Sequence, residues 1–83
     1  MMNPYPMEDT RQNRLLRAIP SVDRLSAHPA LASLHARYAD YLVKRMIRIA
    51  LDEVRDRIRA GKASDADCSI DNLASRVWEI TLK

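Results

Sequence analysis

With 83 residues, 47% of them apolar and 30% charged, the chain is long enough for one small domain and too short for two. No apolar run approaches the roughly 18 residues that a membrane span requires, no amino-terminal secretory signal is present, and the lone cysteine, Cys68, cannot form an internal disulfide. The composition therefore points to a cytoplasmic protein held by its own core, with a stability of about 4 to 12 kcal/mol.

Residues 1–8, which include Pro4 and Pro6, read as a flexible leader, and residues 9–83 as the domain. Asp9 or Thr10 can cap a first helix that runs through Ala18, because Pro20 disfavours a helical Ile19. Ser21 caps a short second helix from Val22 to Ala27, and His28-Pro29 opens a third segment with proline at its first position. Gly61 closes that segment. On a helical wheel its apolar residues fall into two arcs: Leu31, Leu34, Tyr38, Leu42, Met46 and Ile49 in one, Val43, Ile47, Ala50, Val54 and Ile58 in the other. Such a change of face fits either one long helix with different partners at its ends or a break near Ala39-Asp40 with Asp40 as the cap. The break is the preferred reading. Ser64 to Asp67 resembles a capping box ahead of a last helix whose buried face is Ala66, Ile70, Leu73, Ala74 and Val77, with Ile80 at its edge.

A single glycine, no phenylalanine and no Asn-Gly or Asp-Gly turn argue against a sheet. The expected fold is all-α, a small bundle of four or five helices. Its expected core comprises Leu16, Ile19, Leu25, Leu34, Met46, Leu73 and Val77.

With Gly61 alone there can be no glycine-rich phosphate loop, and no HExxH, CxxC or paired histidine occurs. His28 and His35 have no evident carboxylate partner in the sequence, and neither Cys68 nor any lysine stands in a setting that argues for activation. No catalytic residue and no metal ligand set is expected in this segment.

Charge is more informative. Residues 9–62 carry twelve Arg or Lys against six Asp or Glu, a net of +6 (12 − 6), whereas residues 63–83 carry two against four, a net of −2 (2 − 4). Eleven of the fourteen cations are arginine, whose planar fork suits phosphate. Lys44, Arg48, Arg55, Arg59 and Lys62 fall in one arc of the third segment, and Arg37 joins them if the helix is unbroken. Arg11, Arg14, Arg17 and Arg24 form a second group. Such clusters can track a nucleic-acid backbone, but they also fit a solvated face in which Arg48–Asp52, Glu53–Arg57 and Asp56–Arg59 pairs absorb charge. Lys44 and Arg17 have no evident intrahelical acid.

Residues 16–25 read LRAIPSVDRL and residues 45–61 read RMIRIALDEVRDRIRAG. Together they resemble the amino-terminal domain of bacterial selenocysteine synthase, L-seryl-tRNA(Sec) selenium transferase. That family shows a [Leu/Ile]-Pro-[Ser/Ala]-[Val/Ile]-Asp-Arg-Leu element, then a tyrosine, then Arg-x-x-Leu-Asp-x-x-Arg. Ile19 to Leu25 fill the first element, Tyr38 the second, and Arg48, Leu51, Asp52 and Arg55 the third, with Ile58 following. The chain departs from the pattern at Ser26, where leucine is common, and at Ala39, where glycine is frequent and would favour the break.

The resemblance implies a helical domain that recognises selenocysteine tRNA through its cations, with Tyr41 available for loop contacts. It also implies a following catalytic domain in the same polypeptide, which uses pyridoxal phosphate and selenophosphate to convert the seryl group, within a large homo-oligomer. On that basis the chain continues past Lys83, and this segment binds no cofactor itself. One rival reading is a helical oligomerisation module that uses Ile47, Leu51 and Trp78 as surplus apolar surface. A DNA-binding helix-turn-helix is disfavoured because Gly61 follows a long helix and not a short turn.

Overall fold

The computed structural model describes residues 7–82, with side-chain surroundings from residue 11 onward. Among them are five α-helices and no strand. Helix α1 spans Met7–Ala18, so Met7 and Glu8 are already helical, and Asp9 and Thr10 lie inside the helix where caps were expected. Residues 1–6 of the expected leader fall outside the described residues. Pro20 ends α1, and Ser21, in an extended conformation, accepts the Arg24 N–H on its Oγ at 3.1 Å. This caps α2, Val22–Ser26, whose Leu25 is fully buried.

His28 then caps a 3-10 turn, Pro29–Leu31, by accepting the Ala30 N–H on Nδ1 at 3.0 Å. Proline thus opens a tight turn that passes directly into α3, Ala32–Arg37. The expected break follows: Tyr38 and Ala39 are extended, and α4 covers Asp40–Arg59. Its cap is Ala39, not Asp40. The Ala39 carbonyl receives the Leu42 and Val43 N–H groups at 3.0 and 3.2 Å, and no side chain caps the helix. Alanine at this position does not prevent the break, because its φ of −59° and ψ of 147° are open to any residue.

At the other end of α4 Gly61 takes φ +72°. The Gly61 N–H reaches the Ile58 carbonyl at 3.0 Å and the Lys62 N–H the Arg57 carbonyl at 2.8 Å, the two-bond Schellman pattern. Half of the Ser64–Asp67 box is formed, the Ser64 N–H donating to Asp67 Oδ2 at 2.8 Å, but it precedes a 3-10 turn, Ala66–Cys68, whose N-cap Asp65 makes no side-chain cap bond. The last helix, α5 (Ile70–Thr81), has its own cap in Ser69, whose Oγ accepts the Asn72 N–H at 3.2 Å.

The core gathers on α4. Val43, Ile47, Ala50, Leu51, Val54 and Ile58 are buried, and α1, α2, α3 and α5 all pack against this helix. Leu25, Leu31, Leu34, Leu73, Ala74 and Val77 complete the centre. Leu15, not Leu16, is the buried leucine of α1; Leu16, Ile19 and Met46 pack partly buried at the edge. Ile47 and Leu51 are consumed by this core and supply no surplus apolar surface, whereas Trp78 is half-buried at its edge. No helix among the described residues is long and apolar enough to cross a membrane.

Leu73 is buried against α4, so Leu73→Ala should cost about 2 to 5 kcal/mol, a large part of so small a domain's stability. An unchanged melting temperature would remove α5 from the core. At Gly61 a Cβ would meet nothing within 4 Å, so Gly61→Ala isolates the backbone cost. A loss of about 1 to 2 kcal/mol in chemical denaturation is expected; a neutral effect would mean the left-handed turn is not needed.

Candidate nucleic-acid interface

Lys44, Arg48, Arg55 and Arg59 recur along α4 at spacings that keep them within roughly 60° of arc. They flank the buried stripe, and α4 is rigid enough to hold them in line. Lys62 leaves the arc, because the chain turns at Gly61; its carbonyl instead accepts from Arg57 Nη2 at 3.5 Å. Arg37 is also excluded, being separated by the extended Tyr38-Ala39 link.

The second group is only partly gathered. Gln12 Nε2 donates to the Arg59 carbonyl at 3.4 Å, which sets α1 beside the end of α4. Arg11 there lines a hollow with Leu15, Ile58, Ala60 and Gly61. Arg14 pairs with Asp65 at 3.5 Å, and Arg24 borders a second hollow with Asp65, Cys68 and Ser69. Arg17 lies two residues after buried Leu15, about 200° around the helix, and so shares the outer side of α1 with Arg14, about 60° away, while Arg11 lies about 120° from it.

Partners differ from those the sequence suggested. Asp52 takes Arg55 at 3.2 Å, not Arg48, and Glu53 takes Arg76 of α5 at 2.7 and 2.9 Å. Arg57 turns to Asp67 at 3.4 Å. The expected Asp56–Arg59 pair is present at 3.7 Å. Lys44 does have an acid, Asp40, one turn earlier at 3.2 Å. Among the described residues Arg11, Arg17, Arg24, Arg37, Arg45, Arg48 and Lys62 make no ion pair. Arg45 is the cation the sequence reading left out: it lies on the outer face of α4, beyond the edge of the arc, and a wider arc would have included it.

Both histidines have carboxylate neighbours, contrary to the sequence reading. His28 Nε2 lies 2.7 Å from Asp71 Oδ1; since its Nδ1 accepts the Ala30 N–H, the proton sits on Nε2 and is donated to Asp71. His35 faces Asp40 through Nδ1 at 3.7 Å and Ser26 through Nε2, which is 3.0 Å from both the hydroxyl and the carbonyl oxygen. An Nε2–H that donates to the carbonyl cannot also accept the hydroxyl proton, and 3.7 Å is too long for a hydrogen bond to Asp40. The three residue types of a hydrolytic triad are thus present without its proton relay, and the contact ties α2 to α3. Burial, with Asp67 and Asp65 adding to it, pushes the Cys68 thiol up, away from thiolate chemistry.

What emerges is a small all-α domain carrying a one-sided line of arginines. Residues 16–55 match the family described as selenocysteine synthase N terminal. That segment, which runs from the last turn of α1 through most of α4, is similar to the selenocysteine synthase amino-terminal family, as its motifs suggested. The match includes Arg17, Arg24, Lys44, Arg48 and Arg55, and leaves Arg11, Arg14, Arg59 and Lys62 outside. No solved structure matches the chain. The IPSVDRL element has a structural account: Pro20 stops α1, Ser21 caps α2 and Leu25 anchors it in the core.

The Ser64 N–H first, then the Arg57 guanidinium and the Ser64 hydroxyl, hold the Asp67 carboxyl below its ordinary range against partial burial, which raises it. A carboxyl lowered in the folded state adds stability that is complete above its unfolded pKa and is lost as pH falls through the folded value. Asp67→Asn should therefore lower the urea midpoint at neutral pH, and the gap to wild type should narrow at about pH 3. A gap independent of pH would assign the effect to packing.

Proposed function

We propose that this chain is the tRNA-recognition domain of a selenocysteine synthase, holding selenocysteine tRNA for the transferase chemistry of a pyridoxal-phosphate domain in the same polypeptide, which assembles as a large homo-oligomer. The observation that carries the reading is the α4 cation line, of which Lys44, Arg48 and Arg55 lie inside the family match, with Arg48 free of any acid among the described residues. RNA is a fitting ligand. Its deep major groove excludes side chains, so an arm is held through phosphates and exposed loops, which a rigid row of guanidinium groups can contact without reading sequence.

The residues described here do not fit a pyridoxal-phosphate site. Lys44 is paired with Asp40 on a helix surface and Lys62 is exposed beyond the end of α4, so neither offers an enclosed amine. The cofactor belongs, on this reading, to the following domain, and tRNA binding here requires none of it.

The test is affinity for selenocysteine tRNA against salt, with an elongator tRNA as competitor. If about three to five phosphates are neutralised, log K should fall against log salt with a slope of roughly −2 to −4. Arg48→Ala together with Arg17→Ala should weaken binding and flatten that slope by about 0.7 to 0.9 for each lost contact. Helicity should be unchanged, since neither arginine has an ion-pair partner to orphan among the described residues. No change in a folded double variant places the tRNA surface elsewhere; no tRNA binding by wild type at low salt sinks the reading.

A further inference from the structure

We infer that Tyr41 stacks on an unpaired base of the bound RNA while Arg45 and Arg48 hold the phosphates beside it. The inference rests on the RNA-binding reading above and names what the amino-terminal end of the α4 surface takes. Tyr41 is 70% exposed although it stands in the first turn of a twenty-residue helix, where its ring is carried on a fixed backbone. Arg45 follows it by four residues and Arg48 by seven, about 6 and 10.5 Å along the axis at 1.5 Å per residue. Both arginines share its side of the helix and are free of acids among the described residues.

Charge decides between a base and a phosphate at this position. Asp40 precedes Tyr41, meets Lys44 at 3.2 Å and lies 3.7 Å from His35. The local field is therefore close to balanced around the ring and becomes positive only further along, at Arg45 and Arg48. A phosphate at Tyr41 would gain little from that balanced field; the neutral face of a base needs no charge beside it. A paired stem keeps its bases stacked inside the helix, so the ring requires a nucleotide already out of the stack. The ligand class that matches the order of groups along α4 is an RNA with an unpaired nucleotide next to a stem. A protein partner is less well matched, because the exposed apolar side chains nearest the ring in sequence, Tyr38 and Ile49, alternate with the cations Arg37, Arg45 and Arg48, which make no ion pair among the described residues.

The experiment uses the 83-residue chain with two RNA probes, a blunt duplex and the same duplex carrying one bulged 2-aminopurine. Wild type should prefer the bulged probe and change its 2-aminopurine fluorescence on binding. Tyr41→Ala should weaken binding to the bulged probe by about 5- to 150-fold, the effect of losing one base–aromatic stack, without altering the salt slope or the affinity for the blunt duplex. Tyr41→Trp should restore both affinity and fluorescence change, whereas Tyr41→Leu should not. Arg48→Ala should weaken binding to both probes and flatten the slope. Equal binding of both probes by wild type, or an unaltered bulge preference in Tyr41→Ala, overturns the stacking inference and leaves the RNA reading standing. Binding of neither probe, nor of selenocysteine tRNA, at low salt overturns both. A loss of self-association in Tyr41→Ala at unchanged RNA affinity gives the ring to a protein contact, which also overturns the inference.

Discussion

A single apolar stripe on α4 decides where every other element lies. Helices of five and six residues, such as α2 and α3, are far below the roughly 12 to 15 residues at which an isolated helix becomes marginally stable. They exist because each element contributes one fully buried leucine to that stripe: Leu25 from α2, Leu31 from the 3-10 turn and Leu34 from α3. Caps from Ser21 and His28 then satisfy backbone donors that such short helices cannot use internally. Since α4 buries one face only, its remaining circumference is left to charged side chains. The cationic line is a geometric consequence of the core.

Fastening α5 to this body is an electrostatic matter as well as an apolar one. The acidic bias of residues 63–83 does not make a free acidic patch. Asp65 lies on Arg14 at 3.5 Å, Asp67 on Arg57 at 3.4 Å and Asp71 on His28 at 2.7 Å, while Glu79 meets Arg76 of its own helix at 4.0 Å. In return Arg76 grips both oxygens of Glu53. The Trp78 indole N–H donates to the Ala30 carbonyl at 2.6 Å, adding a neutral contact to the same seam. The shift in composition near residue 63 therefore marks complementary surfaces within one fold.

Much of this was legible in the sequence because it depends on local rules. Proline and glycine fixed the ends of α1 and α4, Ser21 signalled a cap, and the two apolar arcs of the third segment disclosed the break. The arcs nonetheless overstated the core: Leu31 and Leu34 are buried but Tyr38 and Ile49 are 41% and 43% exposed, because residues from two separate helices were placed on one wheel. Asp40 resembled a cap by type, yet the chain enters α4 one residue earlier through Ala39. Partner choice was the least accessible part. The Glu53–Arg76 pair spans twenty-three residues, so no intrahelical spacing could reveal it. The cation positions were readable; their availability was not.

That distinction sorts the arginines by what they can do for a ligand. The Arg55–Asp52 and Arg59–Asp56 pairs, at 3.2 and 3.7 Å between exposed groups, contribute at most about 1 kcal/mol each. A phosphate can displace such an aspartate at little cost to the fold. Arg76 differs because both its Nε and Nη2 are committed to Glu53 across a half-buried seam, and its release would loosen α5. Arg57 is likewise committed, to Asp67 and to the Lys62 carbonyl at the turn. The net positive charge of residues 9–62 is thus divided between arginines that close the bundle and arginines that remain open to solvent. Any polyanion the domain holds must be held by the second set, which is why its footprint should follow α4 from Arg45 toward Arg59 and not the α5 seam.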